Sequence, residues 1–263
     1  MSDDSPGLGT ARCTRSAATL RHAVIFAIVV VVFVAVANAP YAWLIQNFGY
    51  DDILREPTAT ILRQFHLGGD ALVLAWFAFA VGALMFIPVV LMFRKLLQGQ
   101  GVEDDGTSIL GVASAVAQAT GLLRWAFVVP ALAATYVSPQ SSEAMRQAVI
   151  VSFDSIHRFG GMAIGEAVGQ LLLAGWTALT VKHLAEARLV PRWLTFIGAI
   201  IPLLWLIGQT ELLHVVIPAV PSIEVTPIAF MTWEAWLIAV AGSVLVDAWR
   251  TRPVAVHALG ASR

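Results

Sequence analysis

Six stretches of this sequence stay apolar long enough to cross a lipid bilayer, and no other feature restricts the fold as much. A span needs roughly 20 apolar residues at a helical rise of about 1.5 Å per residue. The runs lie near 22–46, 70–96, 109–137, 156–181, 193–217 and 228–249. The segments between them are polar or rich in Pro and Gly, as in Gln98-Gly99-Gln100-Gly101 with Glu103-Asp104-Asp105, in Ser138-Pro139-Gln140-Ser141, and around Pro218, Pro221 and Pro227. Continuous apolar runs of this length satisfy their backbone in lipid as helices. The expected fold is therefore an all-α, polytopic transmembrane bundle of six helices. Only 13% of residues are charged, against about a quarter in soluble domains, so no soluble domain is left over. Residues 21–249 form the membrane domain, with cytoplasmic tails at 1–20, expected to be disordered, and 250–263.

Charge sets the expected direction. Arg12, Arg15, Arg21, Arg94, Lys95, Lys182, Arg188, Arg192, Arg250, Arg252 and Arg263 flank one set of span ends. Arg55, Arg63, Arg146 and Arg158 flank the other. Basic residues stay on the cytoplasmic side, so both termini are expected inside a bacterial inner membrane. Lysine is scarce among the basic residues, which suits a GC-rich bacterial genome. Ala37-Asn38-Ala39 resembles a signal-peptidase site, but Pro40 hinders cleavage and the apolar run resumes behind it, so the first span is read as uncleaved. The lone cysteine, Cys13, has no lipidation box and excludes an internal disulfide. A net charge of −1 gives no bulk attraction to nucleic acid. The bilayer is the expected partner.

Two outer segments have helical periodicity. Leu54, Ile61, Leu62 and Phe65 mark 51–66; Met145, Val149, Phe153 and Ile156 mark 142–156, with Ser138-Pro139 as its expected cap. Each either extends the next span, the favoured reading, or lies along the outer interface.

The polar residues inside the spans carry most of the information, because a charge deep in a helix costs about 2.5–3.5 kcal/mol on insertion scales. Arg124 sits near the middle of span three, and Glu166 lies ~15 Å into span four at the helical rise. Glu211 and His214 approach the outer end of span five, and Glu234 that of span six. Gln118, Gln170 and Gln209 add neutral groups, while His66, Asp70, Asp154 and His157 mark the outer ends of spans two and four. Nearly all fall in the outer half, and the inner half reads as almost purely apolar. This pattern suggests a buried polar cluster of Arg124, Glu166, Gln170, Glu211, His214 and Glu234 in a pocket open outward. One arginine against three glutamates leaves −2. Retained protons, a bound cation or water must compensate. An Arg124–Glu166 ion pair is expected, either as a plain staple between spans three and four or as part of a site.

Gly161, Gly165 and Gly169 form a double GxxxG stripe, which permits close helix contact within the chain or with a second copy, making a homo-oligomer possible. Pro40, Pro88, Pro130 and Pro202 lie inside spans and should kink them or free carbonyls. Trp43 and Trp193 suit interfacial belts; Trp125, Trp176 and Trp205 suit packing.

Known chemistries find little support. Glu211-x-x-His214 supplies a single pair where carboxylate di-iron bundles need two. His66, Asp70, His157, Glu211 and His214 are the only candidates for a metal, and span-end histidines more commonly just hydrogen-bond. There is no HExxH, nucleophile elbow, phosphate loop, dinucleotide fingerprint or convincing haem pair, so no cofactor is expected.

The stretch from Arg124 to Trp176, with Ile164-Gly165-Glu166-Ala167-Val168-Gly169 before Trp176-Thr177, resembles a bacterial six-helix membrane family described as domain of unknown function 4386. Trp193-Leu194-Thr195-Phe196-Ile197-Gly198 and Trp233-Glu234-Ala235-Trp236-Leu237-Ile238 also resemble it. The resemblance covers roughly residues 20–248. It implies the fold and the membrane, together with the Arg of span three and the Glu of span four, and supplies no activity.

Three functions remain open from the sequence. The first is a non-enzymatic protein that binds or conducts a small solute, ion or proton through the outer polar half. The second is an intramembrane enzyme acting on a lipid or lipid-linked substrate, with Glu166, Glu211 and His214 as base or metal ligands. The third is a structural or partner subunit. No inverted repeat relates 20–137 to 150–249, which weighs against a transporter built from repeats.

Overall fold

The computed structural model describes the backbone of residues 7–102 and 105–251, and side chains from Leu20 onward. Glu103, Asp104, Cys13 and most of the two expected tails lie outside the described side chains. Six helices are long and apolar enough to cross a membrane. We number them α1 (Gly7–Phe48, apolar from Leu20), α2 (Thr58–Gln98), α3 (Asp105–Val137), α4 (Glu143–Glu186), α5 (Arg192–Val216) and α6 (Thr226–Arg250). No strand occurs among the described residues.

Each helix packs antiparallel on its neighbour in sequence, and α6 returns to α1, closing a ring. Ring contacts trace the directions. Phe26 meets Phe93 and Phe48 meets Phe65 across α1–α2. Trp76 stacks on Trp125 across α2–α3, centroids 4.7 Å apart. Trp205 meets Phe230 across α5–α6, and Phe33 meets Trp233 where the ring closes. The loops at 49–57, 138–142 and 217–225 lie at one end, called distal here. Those at 99–102 and 187–191 lie at the proximal end.

The interior divides into two apolar clusters. Phe26, Phe86, Phe93, Trp176, Trp233 and Trp236 are central to the proximal one. The distal one gathers Phe48, Phe65, Trp76, Trp125 and Phe153. In lipid no hydrophobic force separates helix from solvent, so interdigitated rings and close backbone approach hold the bundle. Gly82 shows the second device: a Cβ there would come within 2.9 Å of the Ala37 backbone. Trp125, Trp176 and Trp205 are buried and Trp193 is largely exposed, as their positions along the spans suggested.

The second periodic outer segment is helical and belongs to α4; of the first, only the part from Thr58 belongs to α2, while Leu54 lies in a separate 3-10 turn before it. Ile61, Leu62 and Phe65 of α2, with Val149 and Phe153 of α4, bury in the distal cluster, whereas Met145 is exposed. The cap of α4 is Ser142, whose side chain accepts from Met145 N at 3.2 Å. Ser138 turns instead to Gln140, because the chain between them forms a turn before the helix starts. Gly69, with φ 56° and ψ −153°, breaks α2 just past its first three turns. That conformation requires glycine.

Prolines act unequally. Pro88 cannot donate to Leu84 and its ring crowds that carbonyl, and α2 is interrupted at Met85. Pro130 interrupts α3 at Val128 in the same way. Pro40 and Pro202 lie within unbroken helix. The largest irregularity has no proline: residues His157–Val168 of α4 form a π-helix. Wide turns of this kind are rare, mostly single, and frequent at functional sites.

Candidate functional site

The π segment of α4 packs closely on α3. Gly121 faces Gly165 so tightly that a Cβ on either would lie 2.7–2.9 Å from the other's Cα. Gly169 packs on Gln118, and Gly161 leaves the space that the Arg124 guanidinium fills. The stripe Gly161, Gly165, Gly169 is thus engaged within the chain, by α3.

Arg124 is 8% exposed. Its Nη1 donates to Gly121 O, its Nη2 lies 3.3 Å from His157 Nδ1, and its Cζ sits 5.3 Å from the Trp125 ring centre. Its Nε is buried without a hydrogen-bond partner. No carboxylate stands at ion-pair distance from it among the described residues. The direct Arg124–Glu166 pair is therefore not formed, because the guanidinium turns into the groove left by Gly161 and caps a carbonyl of its own helix. Glu166 is nonetheless within electrostatic reach of Arg124, Glu211 and Asp51. One turn deeper, Gln209 Nε2 donates to Gln170 Oε1 at 2.8 Å, linking α5 to α4. Deeper still, Gln118 donates to Ser114, which donates to Gly169 O.

The remaining sequence candidates occupy other places. Glu211 is one-third exposed and meets Arg55 at 3.5 Å. His214 Nδ1 lies 2.7 Å from Val220 O in the distal loop. Glu234 accepts from Asn38 Nδ2 at 2.8 Å on the α1–α6 seam. His66 and Asp70 are exposed and separated by the Gly69 break. His157 stacks on Phe153, and Asp154 accepts from Thr58 at 2.6 Å. Among the described residues no three His, Cys, Asp or Glu side chains are grouped as metal ligands.

Residues of the first loop complete the site, and sequence reasoning passed over them. Tyr50 lies within electrostatic reach of both Arg124 and Glu166. Burial first, then the Asp51 and Glu166 carboxylates, push its phenol well above the ordinary tyrosine value, against the opposing pull of Arg124. Tyr50 is a neutral hydroxyl at physiological pH. Burial raises Asp51 above the usual carboxylate range, opposed by the Tyr41 hydroxyl and Arg55. The available signal was an aromatic–acid pair directly after Gly49, in a loop short enough to hold it over the bundle. The proximal half is also less apolar than expected. Thr177, Thr180, Ser108 and His183 are buried there, since small hydroxyls scarcely interrupt a hydropathic run.

A closed ring of six membrane-length helices with a charged interior defines a polytopic α-helical membrane protein. The model of one family, domain of unknown function (DUF4386), matches residues 23–240. The chain belongs to that family. No curated protein and no solved structure matches it.

Proposed function

We propose that this protein takes a small polar solute or ion, the proton included, into the distal half of its ring, where Arg124, Glu166, Gln170 and Glu211 receive it. The supporting observation is the relation of Arg124 to Glu166: opposite charges coupled across α3–α4 without touching. A buried pair that served only as a staple would close to contact, since its attraction offsets desolvation only in good geometry. Coupled charges that stop short of contact leave each side chain able to receive a third, polar partner. Around Glu166 the coupled acids Asp51, Glu211 and Glu224, with Glu166 itself, outnumber Arg55 and Arg124, and such an imbalance draws cations toward the mouth.

Purified protein in lipid nanodiscs should be stabilised by at least one member of a panel of alkali cations, ammonium, methylammonium, small carboxylates and amino acids. Glu166→Gln or Arg124→Met should remove that response. Vesicles loaded with a pH-sensitive dye test the proton in the same way. A panel that shifts wild type and variants alike, with equal proton leak, rejects the reading.

The proximal end is proposed to face the cytoplasm of a bacterium, with the protein in the inner membrane. The support is the crowding of basic residues there, Arg94, Lys95, Lys182, Arg188, Arg192 and Arg250 among them. Reporter fusions after Gln100 and after Val220 are expected to report inside and outside respectively. Finding both on one side would end the six-span arrangement.

A further inference from the structure

The first loop lies across the distal mouth. Gly49, at φ +69°, turns the chain in the left-handed region, and a 3-10 turn follows at Asp52–Arg55. Ile53 N bonds Gly49 O at 2.9 Å and Leu54 N bonds Asp51 O at 3.0 Å, so the loop is a compact unit. Its inner side is aromatic. The Tyr50 ring stands edge-on to Trp76, centroids 5.0 Å apart, and to Tyr41 at 5.8 Å. Tyr41 OH donates to Asp51 at 3.5 Å. Its outer side is ionic. Arg55 Nη2 reaches Glu224 at 3.0 Å and Glu211 at 3.5 Å. Arg55 follows α1, while Glu211 and Glu224 belong to α5 and the α5–α6 loop, so these contacts cross the ring.

We infer that residues 49–57 form a strap over the polar half of the ring, plugged by Tyr50 and latched by Arg55 to Glu211 and Glu224, and that release of this latch admits solutes to Glu166. The inference rests on the solute-binding reading above and adds its gate. The chemistry suits a gate better than a fixed closure. The Arg55 and Glu224 side chains are 54% and 59% exposed, and ion pairs so wet are weak and screened by salt. The plug contributes ring contacts and a hydroxyl, with no bond that must break irreversibly. Arg55 holds two acids of α5 and its following loop at once, so losing one side chain frees the whole crossing.

Access to the polar layer beneath the strap measures the gate. Gln170 is 5% exposed and one turn beyond Glu166, and Cys13 is the only native cysteine. In the full chain with Cys13→Ser and Gln170→Cys, held in nanodiscs, the rate of modification by a trimethylammonium-ethyl methanethiosulfonate is the readout. Adding Arg55→Glu is expected to accelerate labelling roughly tenfold, as both exposed pairs become repulsive. Further adding Glu224→Arg should slow it in part, since the shorter of the two pairs is restored in reverse while Glu211 still repels position 55. Raising salt should speed the parent and leave the repelled variant little changed. Equal rates with and without Arg55→Glu overturn the strap while leaving a wet polar layer and the solute reading intact. No labelling in either background overturns both, because no route to Gln170 would exist. Melting curves identify any variant that fails to fold; in that case Arg55→Gln, which removes the latch without repulsion, carries the same comparison.

Discussion

Gly165→Leu is expected to disrupt the α3–α4 crossing and cost about 3 kcal/mol or more, beyond ordinary overpacking of about 1–3 kcal/mol. The reason is the kind of atom the new side chain meets. A Cβ at Gly165 would lie 2.9 Å from Gly121 Cα and 3.4 Å from Gly160 O. The nearer is backbone of α3 and the other backbone of α4 itself, so relief requires the two helices to separate. Separation also withdraws Gly161 from Arg124 and Gly169 from Gln118, the neighbours that fill those gaps. Gly121→Leu should behave alike. Gly242→Ala is the control: nothing lies within 4 Å of its added Cβ, and alanine is the better helix former, so no loss is expected. Thermal melting in detergent ranks the three. If Gly165→Leu melts with Gly242→Ala, the close crossing is not a feature of the folded protein.

The contrast between the glycine stripe and the charged residues shows what the sequence could convey. The six spans were legible because hydropathy is summed over twenty residues and tolerates local error. The stripe was legible as a contact, since Gly161, Gly165 and Gly169 share a helix face whatever their partner. That the partner is α3 was not, because pairing depends on where Gly121 falls in a helix with no such repeat. Nor was the π-helix. Its wide turns lie where Gly121 and Arg124 pack on it, and no residue signals them locally. Arg124 and Glu166 were picked by depth alone, and depth does not report the side-chain direction that keeps them apart. The strap was hidden for another reason: Tyr50, Asp51 and Arg55 are ordinary loop residues until the ring brings Trp76, Glu211 and Glu224 beside them. Hydropathy also cannot separate a glutamate that faces the cluster from one on a seam, which is how Glu234 stood with Glu166.

The charge pair yields the second large effect, and it should be unequal. Glu166→Gln leaves Arg124 buried with its coupled acid gone, and arginine has no accessible neutral form. The cost is expected at about 2–4 kcal/mol, near the lower part of the range for orphaning a buried charge, since the partners are not in contact. Arg124→Met keeps much of the chain length against Gly161 and Trp125, and Glu166 can take up a proton to escape its isolation. That single change should cost less, about 1–2 kcal/mol, the loss of hydrogen bonds to Gly121 O and His157 included. The double variant removes the uncompensated cation altogether, so it should be more stable than Glu166→Gln alone. A coupling energy of about 2–3 kcal/mol, larger than the cost of Arg124→Met alone, is the expected outcome of the cycle. Infrared difference spectra should show an added protonated carboxyl band in Arg124→Met that disappears in the double variant. Strict additivity, within about 0.5 kcal/mol, would mean that water screens each charge separately, and the proposed guest would then have to displace that water, not join two coupled charges.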